Sequence, residues 1–491
     1  MADLRLVAPA AGSWATTAAA LVAPVPASVA AVLILVTAAV AVCRVRRWSG
    51  IAPTVAAACA VSAAAGVIVI LRVVAVDSSP ILSAVGKPVV EVTVAGDPTV
   101  QAGGRRVTVP VRIERLSGRS MRPVAARLHV DASAADLLPG ERIEVRVRAR
   151  PAAVAGRDRL IAAELSAAGE IRRIRDAPWW QRAAGDVRVR LRELAARALG
   201  GRAGGLLPGL VLGDTGGLDH QTRDTFKAAG LSHLLAVSGS NLVLTVGAVV
   251  LCVRACGAST RTVFAVGAIA VIGFVVLVRP TDSVLRAAIM GTVGLVAGLT
   301  SRRSQALPAL GAAVILVVLW WPEMALAPGF ALSVAATVGL VVWSAPIRFA
   351  LLDRGVPDWL ASLIAMTLAA QILTTPIVIA LTGKVSVFAV LANVLAAPAV
   401  PLIGIAGTAA AAIGATGPRF GPAQVPAEML VRATGPPVRW LLAVADRLGG
   451  PGWVWPEVPG LLAASILVSG GGGLWVWSGL RHARTRRPFD C

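Results

Sequence analysis

The chain has 491 residues, of which 56% are hydrophobic and only 15% charged, with a mean hydropathy of +0.75. That is more apolar side chain than one soluble core hides, so the chain reads as a multispanning membrane protein. The formal charge of +21 comes almost wholly from arginine, since Lys87, Lys227 and Lys384 are the only lysines; such a bias follows first from a GC-rich genome and is weak support for a polyanionic partner.

Cys43, Cys59, Cys252, Cys256 and Cys491 lie in or beside apolar segments or at the last position, which implies no disulfide framework. The four histidines, at 129, 220, 233 and 482, form no HxH or HxxxH pair. No metal site and no cofactor are therefore expected.

Residues 1–76 are read as N-terminal transmembrane helices. Apolar runs at about Pro26–Cys43 and Ile51–Val76 can each cover a hydrocarbon core of roughly 30 Å at about 1.5 Å per residue. Arg44, Arg46 and Arg47 between them place that loop in the cytoplasm and the segment after the second run outside. The first run does not read as a cleaved signal, because its one preceding arginine is offset by Asp3.

Residues 77–182 change character. Alternating segments at Val89–Val94, Arg106–Ile113, Ala126–Val130 and Arg142–Val147, separated by Gly103-Gly104, Ser117-Gly118 and Pro139-Gly140, predict a small antiparallel sheet or β-barrel outside the membrane. From Asp77 to Arg202 there are 23 basic and 14 acidic residues, a positive surface that suits nucleic acid or is simply solvated. The lack of tyrosine and the few aromatics argue against tight single-strand binding by this domain.

Residues 183–230 form an amphipathic connector. In Asp186–Leu199, Val187, Leu191, Leu194 and Ala198 share one helical face while Arg188, Arg190, Arg192 and Arg197 lie elsewhere, which fits an interfacial helix on the membrane or a connector helix.

Residues 231–480 are the transmembrane domain. Spans are predicted near 231–253, 260–278, 282–300, 306–321, 325–345, 359–382 and 459–480, followed by a basic cytoplasmic tail at 481–491. Counting sides then requires 386–416 to enter and return on one face. Its Pro398 and Pro401, beside Asn393 and ahead of Gly404 and Gly407, predict a re-entrant or broken helix. Residues 427–449 are too charged to span and read as a second interfacial helix.

The polar residues within these spans are the candidate pathway, because an unpaired polar group in hydrocarbon is costly. In LSHLLAVSGSNL, His233, Ser238 and Asn241 share a broad helical face; a structural polar knot is the alternative. Asp282 and Arg286 stand four apart and can pair, or else snorkel to the interface. Gln371 precedes Thr374, Thr375 and Pro376 by about a turn, which suits a pore or interhelical bonding equally. The channel-lining set is His233, Ser238, Asn241, Asp282, Arg286, Gln371, Thr374, Asn393 and Pro398, none of them catalytic.

The stretch LLPGLVLGDTGGLDHQTRDTFKAAGLSHLLAVSGSNL (206–242), with RAAIMG (286–291), GFALSVAATVGL (329–340) and LANVLAAPAVPLIGIAG (391–407), resembles the ComEC family of competence proteins. The likeness covers most of residues 50–480. It implies an external OB-like β-domain and a helical channel that carries single-stranded DNA through the bacterial inner membrane during natural transformation. Many relatives add a C-terminal metallo-β-lactamase-like domain, and this chain has no HxHxDH motif, so a short form without a nuclease is expected. Asn241 stands where many relatives have a second histidine, and the β-domain has no disulfide, which some relatives have.

The resemblance and the residues together predict a polar, non-catalytic conduit. There is no P-loop, so the implied partners beyond DNA and the lipid bilayer are a cytoplasmic motor ATPase or helicase, external DNA-receptor proteins and a separate nuclease, with oligomerisation open. Two other classes compete. One is a membrane-embedded transporter or hydrolase for a small solute or lipid, using Ser238 and His233; the other is a non-conducting assembly scaffold.

Overall fold

A computed structural model describes residues 5–44, 52–100, 106–131, 136–152, 155–235, 239–279, 282–299, 306–417, 421–422, 424–450 and 454–456. The chain is mostly helical and divides into two compact units, one of residues 1–186, 275–280 and 311–327, the other of residues 187–274, 281–310 and 328–491.

The first unit opens with α1 (Val7–Val22), α2 (Val25–Arg44) and α3 (Ala52–Asp77). The latter two are the expected N-terminal runs and are long and apolar enough to cross a membrane. The sequence reading passed over α1, whose small residues give little hydropathy contrast. Small residues also close the packing: a Cβ on Gly12 would lie 2.5 Å from Ser62 Oγ, and one on Gly66 2.5 Å from Val32 Cγ2.

The sheet follows as β1 (Val89–Val94), β2 (Thr99–Val100), β3 (Arg106–Leu116), β4 (Arg119–Asp131), β5 (Arg142–Pro151), β6 (Ile161–Ala167) and β7 (Arg172–Arg175). The alternation that predicted strands sets the core: Val107, Val109, Val111 and Ile113 point inward from β3 and pack with Val90, Val92, Leu128, Ile143, Val145 and Leu165. Ser117 and Gly118, both at positive φ, make the two-residue turn between β3 and β4.

Pairing runs β1–β3–β4–β6–β5, and β5 pairs again with β1, so the path returns on itself; β2 and β7 attach to β3 and β5. The sheet is mixed and not purely antiparallel, because β4 and β6 run parallel, with Leu128 opposite Leu165. β6 is alanine-rich and its partner lies across β5 in sequence, so local periodicity carried no sign of it.

Before β5, Gly140 takes φ +88, and a Cβ there would meet Pro178 Cδ at 2.6 Å. Glu141 is 6% exposed, and its Oε2 has no hydrogen-bond partner among the described residues. Burial pushes its carboxyl above the usual range; Arg173 acts against that shift, while Asp136 and Asp176 add to it. α4 (Trp179–Leu199) then leads out of this unit.

The second unit contains α5 (Gly201–Leu212), α6 (His220–Ala228), α7 (Ser232–Leu235), α8 (Gly239–Ala255), most of α9 (Thr260–Val278), α10 (Asp282–Leu299), the start of α11 (Ala306–Trp320), α12 (Pro328–Leu352) and α13 (Asp358–Thr382). It closes with β8 (Lys384–Ser386), α14 (Ala389–Ala396), α15 (Ala399–Ala415), α16 (Gln424–Ala433), α17 (Gly435–Leu448) and β9 (Val454–Pro456), β8 pairing antiparallel with β9.

Among the described residues five helices have the length and hydropathy of membrane spans: α2, α3, α9, α12 and α13, with α14 and α15 as a pair bent by 47°. α10 and α11 coincide to within a residue with the spans expected at 282–300 and 306–321. The span expected at 231–253 is covered by α7 and α8, between which residues 236–238 lie outside the described residues. The helix expected at 427–449 is two, joined at Thr434. The predicted span at 459–480 and the tail at 481–491 lie outside the described residues.

α12 and α13 pack closely. A Cβ on Gly339 would come within 2.1 Å of the Ala369 carbonyl oxygen, so backbone meets backbone there. Gly339→Leu should destabilise the detergent-solubilised protein by the overpacking cost of about 1–3 kcal/mol, read as a lower melting temperature.

For Glu141 the sign is fixed by linkage. A carboxyl whose folded pKa is raised above its usual value of 4.5 contributes most stability below the unfolded pKa and loses it as pH rises through the folded one. Glu141→Gln should therefore stabilise the sheet near neutral pH, and the gain should vanish below about pH 4, as read by hydrogen exchange in β1, β3 and β5.

Candidate membrane pathway

α4 looks in sequence like an amphipathic helix for a lipid surface, but its apolar stripe meets protein. Leu191, Leu194 and Ala195 are inaccessible, and a Cβ on Gly414 of α15 would lie 3.0 Å from Leu194 Cδ1. The arginines beside the stripe reach helix ends. Arg188 Nη1 donates to the carbonyl of Leu212, the last residue of α5, at 3.3 Å. Arg190 Nη1 donates to Gly414 O at 3.2 Å and to Gly417 O, at the end of α15. Gln424 Nε2 donates to the same Gly414 oxygen at 3.0 Å. The last carbonyls of a helix have no intrahelical donor and carry its negative pole, so a guanidinium there supplies both charge and donors.

The turn after α5 is built from caps. Gly213 takes the left-handed conformation, φ +70, and its N–H closes on Gly209 O at 3.0 Å. Asp214, buried, accepts from Gly216 N–H at 3.1 Å and from Arg192 Nε at 3.1 Å. Asp219 caps α6 by accepting from Thr222 N–H at 3.2 Å. Gly205 and Gly217 touch so closely that a Cβ on Gly205 would lie 2.2 Å from Gly217 O. Arg202 donates to Thr222 Oγ1 at 2.8 Å and pairs in two-pronged fashion with Asp446 at 2.8 and 2.9 Å, which joins α5, α6 and α17.

The broken helix seats on this frame. Pro398 begins α15, and with Pro401 it removes backbone donors at the bend. Asn393 Nδ2 donates to Ala389 O at 2.7 Å and to Gly230 O at 3.5 Å. Gly230 has φ +74, and a Cβ there would meet Ala389 Cβ at 2.7 Å, so the turn after α6, within the 206–242 motif, lies directly against α14. Trp440 Nε1 donates to Leu395 O at 2.8 Å. The apolar faces of α16 and α17, with Val431, Val438, Leu441 and Ala445 inaccessible, face protein and not only an interface.

Asn241, near the start of α8, is 5% exposed. Its Nδ2 donates to Leu210 O at 2.7 Å, and its Oδ1 has no hydrogen-bond partner among the described residues. A cavity of about 10 Å³ lies there, lined by Leu210, Leu234, Asn241, Val400, Ile403 and Leu441, room for about one water.

The other expected residues are dispersed. His233 is exposed on α7; Ser238 and the side chain of Asp282 lie outside the described positions. Arg286 on α10 donates from Nε to Ser333 Oγ of α12 at 2.7 Å and from Nη1 to Met290 Sδ at 3.3 Å. Thr374 donates to Ala370 O of its own helix at 3.0 Å, and Gln371 is half-buried on that helix. Asn241 belongs to the α8–α15 contact region, beside Gly404, while Pro398, just before α15, is exposed. Arg286, Gln371 and Thr374 belong to the neighbouring α10–α12–α13 group.

Among the described residues no three potential metal ligands converge. Sequence reasoning missed the roles of Arg188, Arg190, Arg192, Arg202, Asp214 and Asp446. The Asp-flanked glycines of LGDTGGLD were a legible sign of caps; the arginine partners were not, being remote in sequence. Arg190→Ala should cost about 1–3 kcal/mol through the carbonyls it strands. Faster hydrogen exchange confined to 410–417 would be the direct sign.

The family described as Competence protein matches residues 210–480. ComE operon protein 3 of Bacillus subtilis (strain 168) is 27% identical over 195 residues, which is 40% of this chain and 24% of that protein; the aligned part thus spans about a quarter of that relative's length. No solved structure matches.

Proposed function

The chain belongs to the competence protein family, and from that premise we propose that it conducts single-stranded DNA through the bacterial inner membrane into the cytoplasm. The family match over 210–480 carries the reading, because it falls on the region where a bent apolar helix pair and buried amide side chains lie together. Interrupted helices with polar side chains at membrane depth are features of permeation sites.

In this reading His233, Ser238, Asn241, Asn393 and Pro398 border the pathway at the broken helix, and Asp282, Arg286, Gln371 and Thr374 border it between α10, α12 and α13. Arg286 is the most informative. Among the described residues its partners are a hydroxyl and a thioether, so its charge remains available to a passing phosphate. The cavity at Asn241 is far too small for a nucleotide, so transport requires α15 to move relative to α8, and the conformation described is the closed one.

The returning strand path of the sheet, with its parallel β4–β6 pair, supports an OB-like barrel on the outer side. The ends of α3 and of the 260–278 helix both touch that sheet unit, which supports a single side for both. Energy would come from a cytoplasmic motor acting on the emerging strand, with receptor proteins outside and a nuclease in trans.

Deleting the gene in its host should abolish uptake of donor DNA, and the wild-type gene should restore it. Arg286→Ala should stay uptake-defective at normal membrane level, whereas Arg286→Lys should recover part of the activity. Full uptake with Arg286→Ala would reject its place on the pathway, and a purified protein giving no DNA-dependent conductance in liposomes would favour a scaffold.

A further inference from the structure

Two helix ends meet the sheet segment in the first unit, and a third meets α3. Asp77, closing α3, is paired with Arg159 through two bonds of 2.7 Å. Arg279, immediately after α9, donates to Asp97 Oδ1 at 2.9 Å and to Gln181 Oε1. Arg72 Nη2 donates to the carbonyl of Trp320, the end of α11, at 2.9 Å. α9 has 19 residues of high hydropathy, about 28 Å of helix, which matches a hydrocarbon core of about 30 Å. Its end is therefore a depth marker, and Arg279 stands at the boundary between hydrocarbon and headgroups.

Gln181 is bonded to that marker, and its neighbours carry an unusual surface. Trp179 and Trp180 are 71% and 45% exposed, with rings edge to face at 5.9 Å. Ile174 is exposed on β7, as are Arg172, Arg175 and Arg182 around it. Trp320, 66% exposed, ends α11 at Arg72. Large exposed aromatics are costly in water, whereas indole rings favour the headgroup layer, with arginines reaching phosphates beside them.

We infer that Trp179, Trp180 and Trp320, with Arg172, Arg175 and Arg182, form a collar that seats the sheet unit on the headgroups of an anionic phospholipid bilayer. Paired tryptophans beside arginines would also stack single-stranded DNA. The bond from Gln181 to the residue that ends a membrane-length helix favours lipid, because it holds the rings at interface depth and not out in solvent. The collar holds whether or not the chain conducts DNA.

The test uses the full-length, cysteine-free chain in nanodiscs containing phosphatidylglycerol, spin-labelled at Trp179→Cys or at Trp180→Cys, with Arg119→Cys on the β3–β4 turn as the aqueous reference. At 179 and 180, collision with oxygen relative to a water-soluble nickel chelate should exceed that at 119 several-fold. Hydrogen exchange of β3 and β4 matching the unlabelled protein shows that each variant is folded. Nickel access equal to that at 119 at both positions would overturn the collar. Immobilisation of either label by a single-stranded oligonucleotide, with no lipid-like oxygen ratio, would assign the face to nucleic acid instead.

Discussion

A helix that stops inside a membrane protein leaves carbonyls with no donor and a negative pole with no water to screen it. Much of the second unit depends on how this chain meets that constraint. Arg188 reaches the end of α5 and Arg190 the end of α15, while Gln424 shares the Gly414 carbonyl. An arginine suits this better than a lysine, because its planar fork presents several donors while its charge is always present. Since α4 carries both arginines two residues apart, one helix fixes the ends of two others. The same helix buries Leu191 and Leu194 between them.

That frame determines where the broken helix lies. Glycines at 404 and 407 allow α15 to approach α8 and α5: a Cβ on Gly407 would lie 2.3 Å from Val211 Cγ2, and one on Gly404 3.3 Å from Asn241 Oδ1. Asn241 and Asn393 use their amides to tie loops and helix starts to backbone carbonyls. The polar residues in this region thus have an immediate structural use. Any transport role is laid over it, in a state where these contacts rearrange.

The sheet unit solves a different problem. Its inward faces are almost wholly aliphatic, and several of its outward arginines are matched by carboxylates: Arg127 with Asp158 and Glu164, Arg142 with Glu91 and Glu114, Arg172 with Glu144, Arg173 with Asp136. Partly exposed pairs of this kind contribute little stability individually, but they lower the positive potential that composition alone suggests.

Sequence by itself determined the membrane class, the positions of the long apolar helices, the strands with strict alternation and the interruption at Pro398, because hydropathy, period and proline act locally. Family likeness was equally local, being carried by contiguous motifs. Whether an amphipathic face meets lipid or protein, as for α4 and α17, was decided only in three dimensions, since both surroundings reward the same pattern. So was the parallel β4–β6 pairing. The arginine partners were hidden for the same reason: Arg190 and Gly414 stand 224 residues apart, and a hydrogen bond depends on distance in space and not along the chain.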